Sequence, residues 1–167
     1  MTSPPAPASR PCATGPDTPR GLVQPPCRYW PLWYEFPEMG ALPTAPRTAR
    51  AHVRDVIGEW GMHCFEENAV LIASELVTNV VRQAMTDDGA PVYFNGKLPV
   101  IRLSLYSDRE SLLIAVYDQV PGFPVQEFPA ADAENGRGLA LIATLGRWDW
   151  HLAPGGKVVR AFLVAAA

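Results

Sequence analysis

Cysteine is scarce in this chain and widely spread, with Cys12, Cys27 and Cys64 the full complement of 3 in 167 residues. An odd number without close ligand spacing favours neither a disulfide framework nor a zinc site, so free thiols in a reducing cytoplasm are expected. Long apolar runs are missing as well. No stretch approaches the roughly 20 residues that span a bilayer, and the start lacks a charged segment followed by an apolar one. Neither a membrane span nor export is therefore expected. Charge of one sign is also lacking, since 14 Lys and Arg stand against 17 Asp and Glu for a net of -3. With no basic stripe interleaved with aromatics, direct binding of nucleic acid is not expected.

What is present suits one domain behind a tail. Hydrophobic residues make up 48% of the chain, enough for a sizeable core. Residues 1–28 are rich in Pro, Ala, Ser and Thr and hold little that forms a core, which predicts an extended tail, with the domain proper at 29–167. From Tyr29 the sequence turns aromatic. Trp30, Leu32, Tyr34 and Phe36 recur at period two, as in a strand with one buried face, and Pro31 confines it to a sheet edge. Ala49, Val53, Val56, Ile57 and Trp60 recur at helical spacing before Gly61, predicting a helix over 47–60. A longer helix is predicted over 66–84, with Glu66 and Glu67 in its first turn and Arg82 in its last, complementing the helix dipole.

Turn-formers crowd 85–99, where one short strand at Val92 to Phe94 is expected in a loop. Ile101, Leu103 and Leu105 then alternate with polar partners, and Leu112 to Tyr117 is a continuous apolar run of the kind found in a central strand. A hairpin at Ser107 to Glu110 joins them. A short helix over 139–145 and strands at 148–152 and 158–164, linked by Pro154, Gly155 and Gly156, complete the chain. Helices before and between hairpin-linked strands imply an α+β layer, with helices packed on one face of the sheet.

Four places carry candidate chemistry. Glu75 and Asn79, four residues apart on a predicted helix, share one face, which suits a proton acceptor beside a metal ligand. Asn79 can offer its side-chain oxygen to Mg²⁺, and Glu75 can accept a proton from a hydroxyl or water. Asp118, where the central strand leaves the sheet, can accept a hydrogen bond from an adenine amino group; alternatively it caps the turn before Pro121 and Gly122. Gly122 allows close backbone approach to a ligand. Gly136-Arg137-Gly138, ahead of a helix start, exposes amides that can hold phosphate, and Arg137 can neutralise its charge.

In order and spacing these segments resemble the GHKL ATPases, and within them the small anti-sigma-factor serine kinases and their actinobacterial ATP-binding relatives. Glu75-Leu76-Val77-Thr78-Asn79-Val80-Val81-Arg82 is similar to their asparagine-bearing N box, and Asp118 to Gly122 to their first glycine box. Glu134-Asn135-Gly136-Arg137-Gly138-Leu139 is similar to the second, and Gly155-Gly156-Lys157 to the closing hairpin. The likeness covers about residues 33 to 164.

That resemblance implies a Bergerat-type sandwich on a mixed, mostly antiparallel sheet, with ATP and Mg²⁺ as cofactors. It implies Asn79 on the metal, Glu75 as general base, Asp118 on adenine, and Gly122, Gly136, Arg137, Gly138 and Lys157 around the nucleotide. It further implies a cytoplasmic protein kinase that phosphorylates a serine or threonine of an anti-anti-sigma partner, otherwise holds a sigma factor, and forms a homodimer. Two positions depart from the pattern: Val120 stands where glycine is usual, and Gln83 where histidine is frequent. A β-branched residue narrows the loop's conformations, so a regulator that binds its partner without phosphorylating it is the alternative. The catalytic half of a histidine kinase fits less well, because His52, His63 and His151 mark no phosphoacceptor helix. The segment between Gly122 and Gly136 is short for a nucleotide lid, with Phe123, Val125 and Phe128 available to pack.

Overall fold

A computed structural model of the chain describes residues 30–122, 124 and 137–165. The proposed tail and the apolar positions of the short lid segment lie outside the described residues. The elements are β1 (Leu32–Glu35), β2 (Met39–Gly40), α1 (Ala45–Glu59), α2 (Glu66–Gln83), β3 (Val100–Ser107), β4 (Ser111–Asp118), α3 (Arg137–Leu145), β5 (Arg147–Ala153) and β6 (Gly156–Val164). A single 3₁₀ turn, His63–Phe65, leads into α2.

Among the described residues the strands form one sheet in the order β1-β3-β4-β6-β5, and β2 extends the β1 edge along β3. Every ladder is antiparallel. Register explains the layering, because a side-chain period of two puts whole rows on one face. Leu103, Val116 and Val159 form one such row, and Leu105, Ile114 and Ala161 the next. All six are buried, under α2. The architecture is α+β with the helices on one face, as expected from the sequence.

The helices form where apolar spacing demanded them. In α1, Ala45, Ala49, Val53, Val56 and Ile57 are buried, Pro46 sits in the first turn, where its missing N–H costs nothing, and Gly61 follows at φ 67. In α2, Val70, Ile72, Ala73, Leu76, Val77, Val80 and Val81 are buried between α1 and the sheet. Neither helix is capped by a side chain, so packing rather than capping holds the ends. No helix among the described residues is long and apolar enough to cross a membrane.

Three expectations need correction. The strand over Val92 to Phe94 does not form; Phe94 and Lys97 instead exchange backbone hydrogen bonds of 2.9 and 3.0 Å around Asn95 at φ 50 and Gly96 at φ 72, a tight turn. β1 is an edge strand, as Pro31 implied, but Tyr34 is 41% exposed, and its ring leans on Phe36 rather than entering the core. The sheet is also not mixed among the described residues, since no parallel pair occurs.

Candidate functional site

Asp118 is the last residue of β4, in register with Ile101 on one side and Lys157 on the other. That row faces the helices, so its members are buried: Asp118 is 0% exposed and Lys157 3%. The Lys157 ammonium donates to Asp118 Oδ1 at 2.8 Å and to the Val120 carbonyl at 2.6 Å. The Val120 N–H donates to the same Oδ1 at 2.8 Å. Asp118 therefore fulfils the turn-capping role considered for it. Yet its other oxygen, Oδ2, is buried without a hydrogen-bond partner. A buried carboxylate oxygen in that condition is unfavourable by itself and is satisfied when a donor arrives.

Val120 does not strain the loop. Its side chain is 3% exposed and belongs to the core. Among the described residues, only Asn95 and Arg109 are non-glycine positions at positive φ, so no left-handed conformation is being forced on the valine. Gly122 is exposed at φ 107 with open space around it.

The second cluster lies between α2 and α3. Glu75 and Asn79 are half-buried on α2. Gly138, in the first turn of α3, is buried directly beneath Glu75: a Cβ built there would lie 2.6 Å from Glu75 Oε2. The carboxylate is thus seated over the beginning of α3, where backbone amides lack intrahelical partners. Asn79 follows one turn along α2 on the Glu75 side. Since α2 packs on both β4 and α3, one helix carries the link between the two clusters. Gly136 and the Arg137 side chain lie outside the described residues.

Sequence reasoning missed what Lys157 and the Val120 backbone do. A signal existed: Lys157 occupies the same strand phase as Val159, Ala161 and Leu163, all buried, and a lysine in that phase needs a partner. A separate groove of about 680 Å³ opens between α1 and α2, lined by Arg50, Arg54, Glu66 and Ser74 among others. Both of its arginines have partners within it, Arg50 donating to Ser74 Oγ at 2.7 Å and Arg54 pairing with Glu66 at 3.4 Å.

Compared with known protein families, the sequence matches the histidine kinase-like ATPase domain over residues 39–162. The chain belongs to that family. No curated protein matched the chain. The matched span of this histidine kinase-like ATPase domain runs from the start of β2 into β6 and includes both clusters. Membership implies ATP binding, and the donor set fits. Asp118 Oδ2 is a buried acceptor without a hydrogen-bond partner, and Gly138 brings a residue without a side chain to the first turn of α3. Among the described residues no group of three or more His, Cys, Asp or Glu could hold a metal ion. A nucleotide-borne Mg²⁺ needs no such group, because phosphates and water complete its shell.

Proposed function

We propose that this histidine kinase-like ATPase domain is an anti-sigma-type serine/threonine protein kinase of the cytoplasm, phosphorylating a hydroxyl of an anti-anti-sigma partner. The observation that supports it is the seat of Glu75: its carboxylate lies against Gly138 at the start of α3, the end of a helix suited to phosphate. A base at that spot stands beside the reacting group rather than out on a solvated helix face.

In this reading Asp118 Oδ2 takes the adenine amino group, Asn79 holds Mg²⁺, and the backbone around Gly122, Gly136, Arg137 and Gly138 lies near the phosphates. When bound, Mg²⁺-ATP supplies the phosphoryl group and the charge neutralisation that phosphoryl transfer needs. Glu75 removes the proton of the acceptor hydroxyl and so makes that oxygen the stronger nucleophile. Lys157 acts at a distance from the phosphates, holding Asp118.

The test is to incubate wild type and Glu75→Ala with labelled Mg²⁺-ATP and candidate anti-anti-sigma proteins. Label should appear on a serine or threonine of one partner, and Glu75→Ala should reduce the rate by about 10²–10⁴-fold, the usual contribution of a general base. Binding of ATP without transfer to any partner would instead make the protein a regulator that only grips. Absence of binding at millimolar ATP would overturn the nucleotide reading.

A further inference from the structure

We propose that Lys157 is a positioning residue that makes Asp118 specific for a 6-amino purine over a 6-oxo purine. The inference rests on the nucleotide reading above and deepens it. Its starting point is a cation where the strand pattern calls for an apolar residue. Lys157 shares its face of β6 with Val159, Ala161 and Leu163, and its side chain is 4% exposed against 0% for Asp118. A buried charge at such a position is tolerated only when paired and hydrogen-bonded.

The pairing is one-sided. Lys157 Nζ and the Val120 N–H both donate to Oδ1, at 2.8 Å each, while Oδ2 receives nothing. The ammonium is also tied to the Val120 carbonyl at 2.6 Å, so lysine, carboxylate and loop backbone are locked together. Two consequences follow. The orientation of the carboxylate is fixed, with Oδ2 the one oxygen left for a ligand. The carboxylate, salt-bridged to the ammonium, offers that oxygen as a hydrogen-bond acceptor. An amino group at the purine 6 position then finds its acceptor, whereas a 6-oxo group meets lone pairs.

Of the elements packed on β4, β6 brings the charged group that reaches Asp118. β3 presents Ile101 opposite it, and the buried side of α2 is apolar through Val77, Val80 and Val81, with Glu75 on its flank. Without the lysine, the Val120 N–H alone would hold Oδ1, and the carboxylate would lose the second bond that fixes its rotation. The acceptor would then no longer be aimed at one position, and the discrimination would weaken.

The experiment measures binding of Mg²⁺-ATP and Mg²⁺-ITP to wild type, Lys157→Met and Lys157→Gln at one fixed pH. Lys157→Gln, a shorter neutral group, serves if Lys157→Met does not fold. Wild type should prefer ATP at least tenfold. The variants should bind ATP at least tenfold more weakly and lose most of the ATP preference. Variants that match wild type in ATP affinity and in the ratio would overturn the role of Lys157 alone. So would a wild type that binds ATP and ITP equally, a result that needs no variant. Wild type that binds neither nucleotide at millimolar concentration would overturn the nucleotide reading itself.

Discussion

Gly138 and Gly156 are both crowded, one by a side chain and the other by backbone. A Cβ on Gly138 would meet the end of the Glu75 side chain at 2.6 Å, and a flexible carboxylate can swing away. A Cβ on Gly156 would lie 2.0 Å from the Asp118 carbonyl oxygen, backbone of a central strand that has nowhere to go. We therefore expect Gly138→Ala to keep or slightly raise stability, since alanine is favoured over glycine inside a helix by about 1 kcal/mol. Under the proposed kinase function, phosphotransfer should nevertheless fall at least tenfold as Glu75 is displaced. Gly156→Ala should cost about 1–3 kcal/mol or more through overpacking. Thermal melts alongside transfer rates separate the two; a Gly138→Ala protein of full activity would remove Glu75 from the reaction. Glu75 and Asn79 were legible as a pair because helical geometry alone brings i and i+4 together. The Asp118 and Lys157 pair was not, because it joins residues 39 positions apart whose meeting depends on β4 to β6 register.

At the level of elements, the sequence was clearest where one period ran long enough. α1 and α2 lie within two residues of their expected bounds at either end, and β3, β4 and β6 follow from alternation or from a continuous apolar run. β2, with 2 residues, is too short to carry a period and exists because β3 offers it an open edge. Val92 to Phe94 reads as a strand, but the turn takes both backbone groups of Phe94 and the Ala84 carbonyl takes the Val92 N–H. The edge strand β5 carries a pH response. Burial holds the His151 imidazole below its ordinary value, the Arg160 charge adds to this, and Asp149, bound to Arg160 through two hydrogen bonds of 2.6 and 2.7 Å, opposes it. With the folded value below the unfolded one, the unfolded chain takes up the proton first as pH falls. The His151 contribution to stability is thus complete above about pH 6.5, the unfolded value, and is lost as pH drops below it toward the folded value. Melting temperature should fall between pH 7 and 5.5, and His151→Gln should flatten part of that slope; an unchanged slope would place the titration elsewhere.

For the molecule as a whole, the folded unit and the family span do not begin at the same residue. The family match starts at residue 39. Yet Phe36 is 5% exposed, belongs to the core cluster that includes α1, α2 and the sheet, and donates its N–H to the Leu103 carbonyl at 2.9 Å. Trp30 reaches further, its ring edge-on to Phe162 of β6 at 6.2 Å between centroids. The N-terminal aromatics thus hold two strands of the sheet that are not adjacent to each other. Deleting residues 1–28, which hold little that could form a core, should leave the melting temperature within about 2 °C, since surface changes are usually worth under about 0.5 kcal/mol. Deleting residues 1–37 removes a buried phenylalanine, worth about 3–5 kcal/mol, as well as β1. At roughly 2–4 °C per kcal/mol for a chain of this size, the loss should exceed about 6 °C. Both truncated chains retain Glu75, Asn79, Asp118 and Lys157, so where they stay folded ATP binding should be kept. Equal melting temperatures for the two would put the boundary where the family match begins and leave the aromatic segment as an appendage; a large gap would show that this chain completes its sheet with residues upstream of the matched domain.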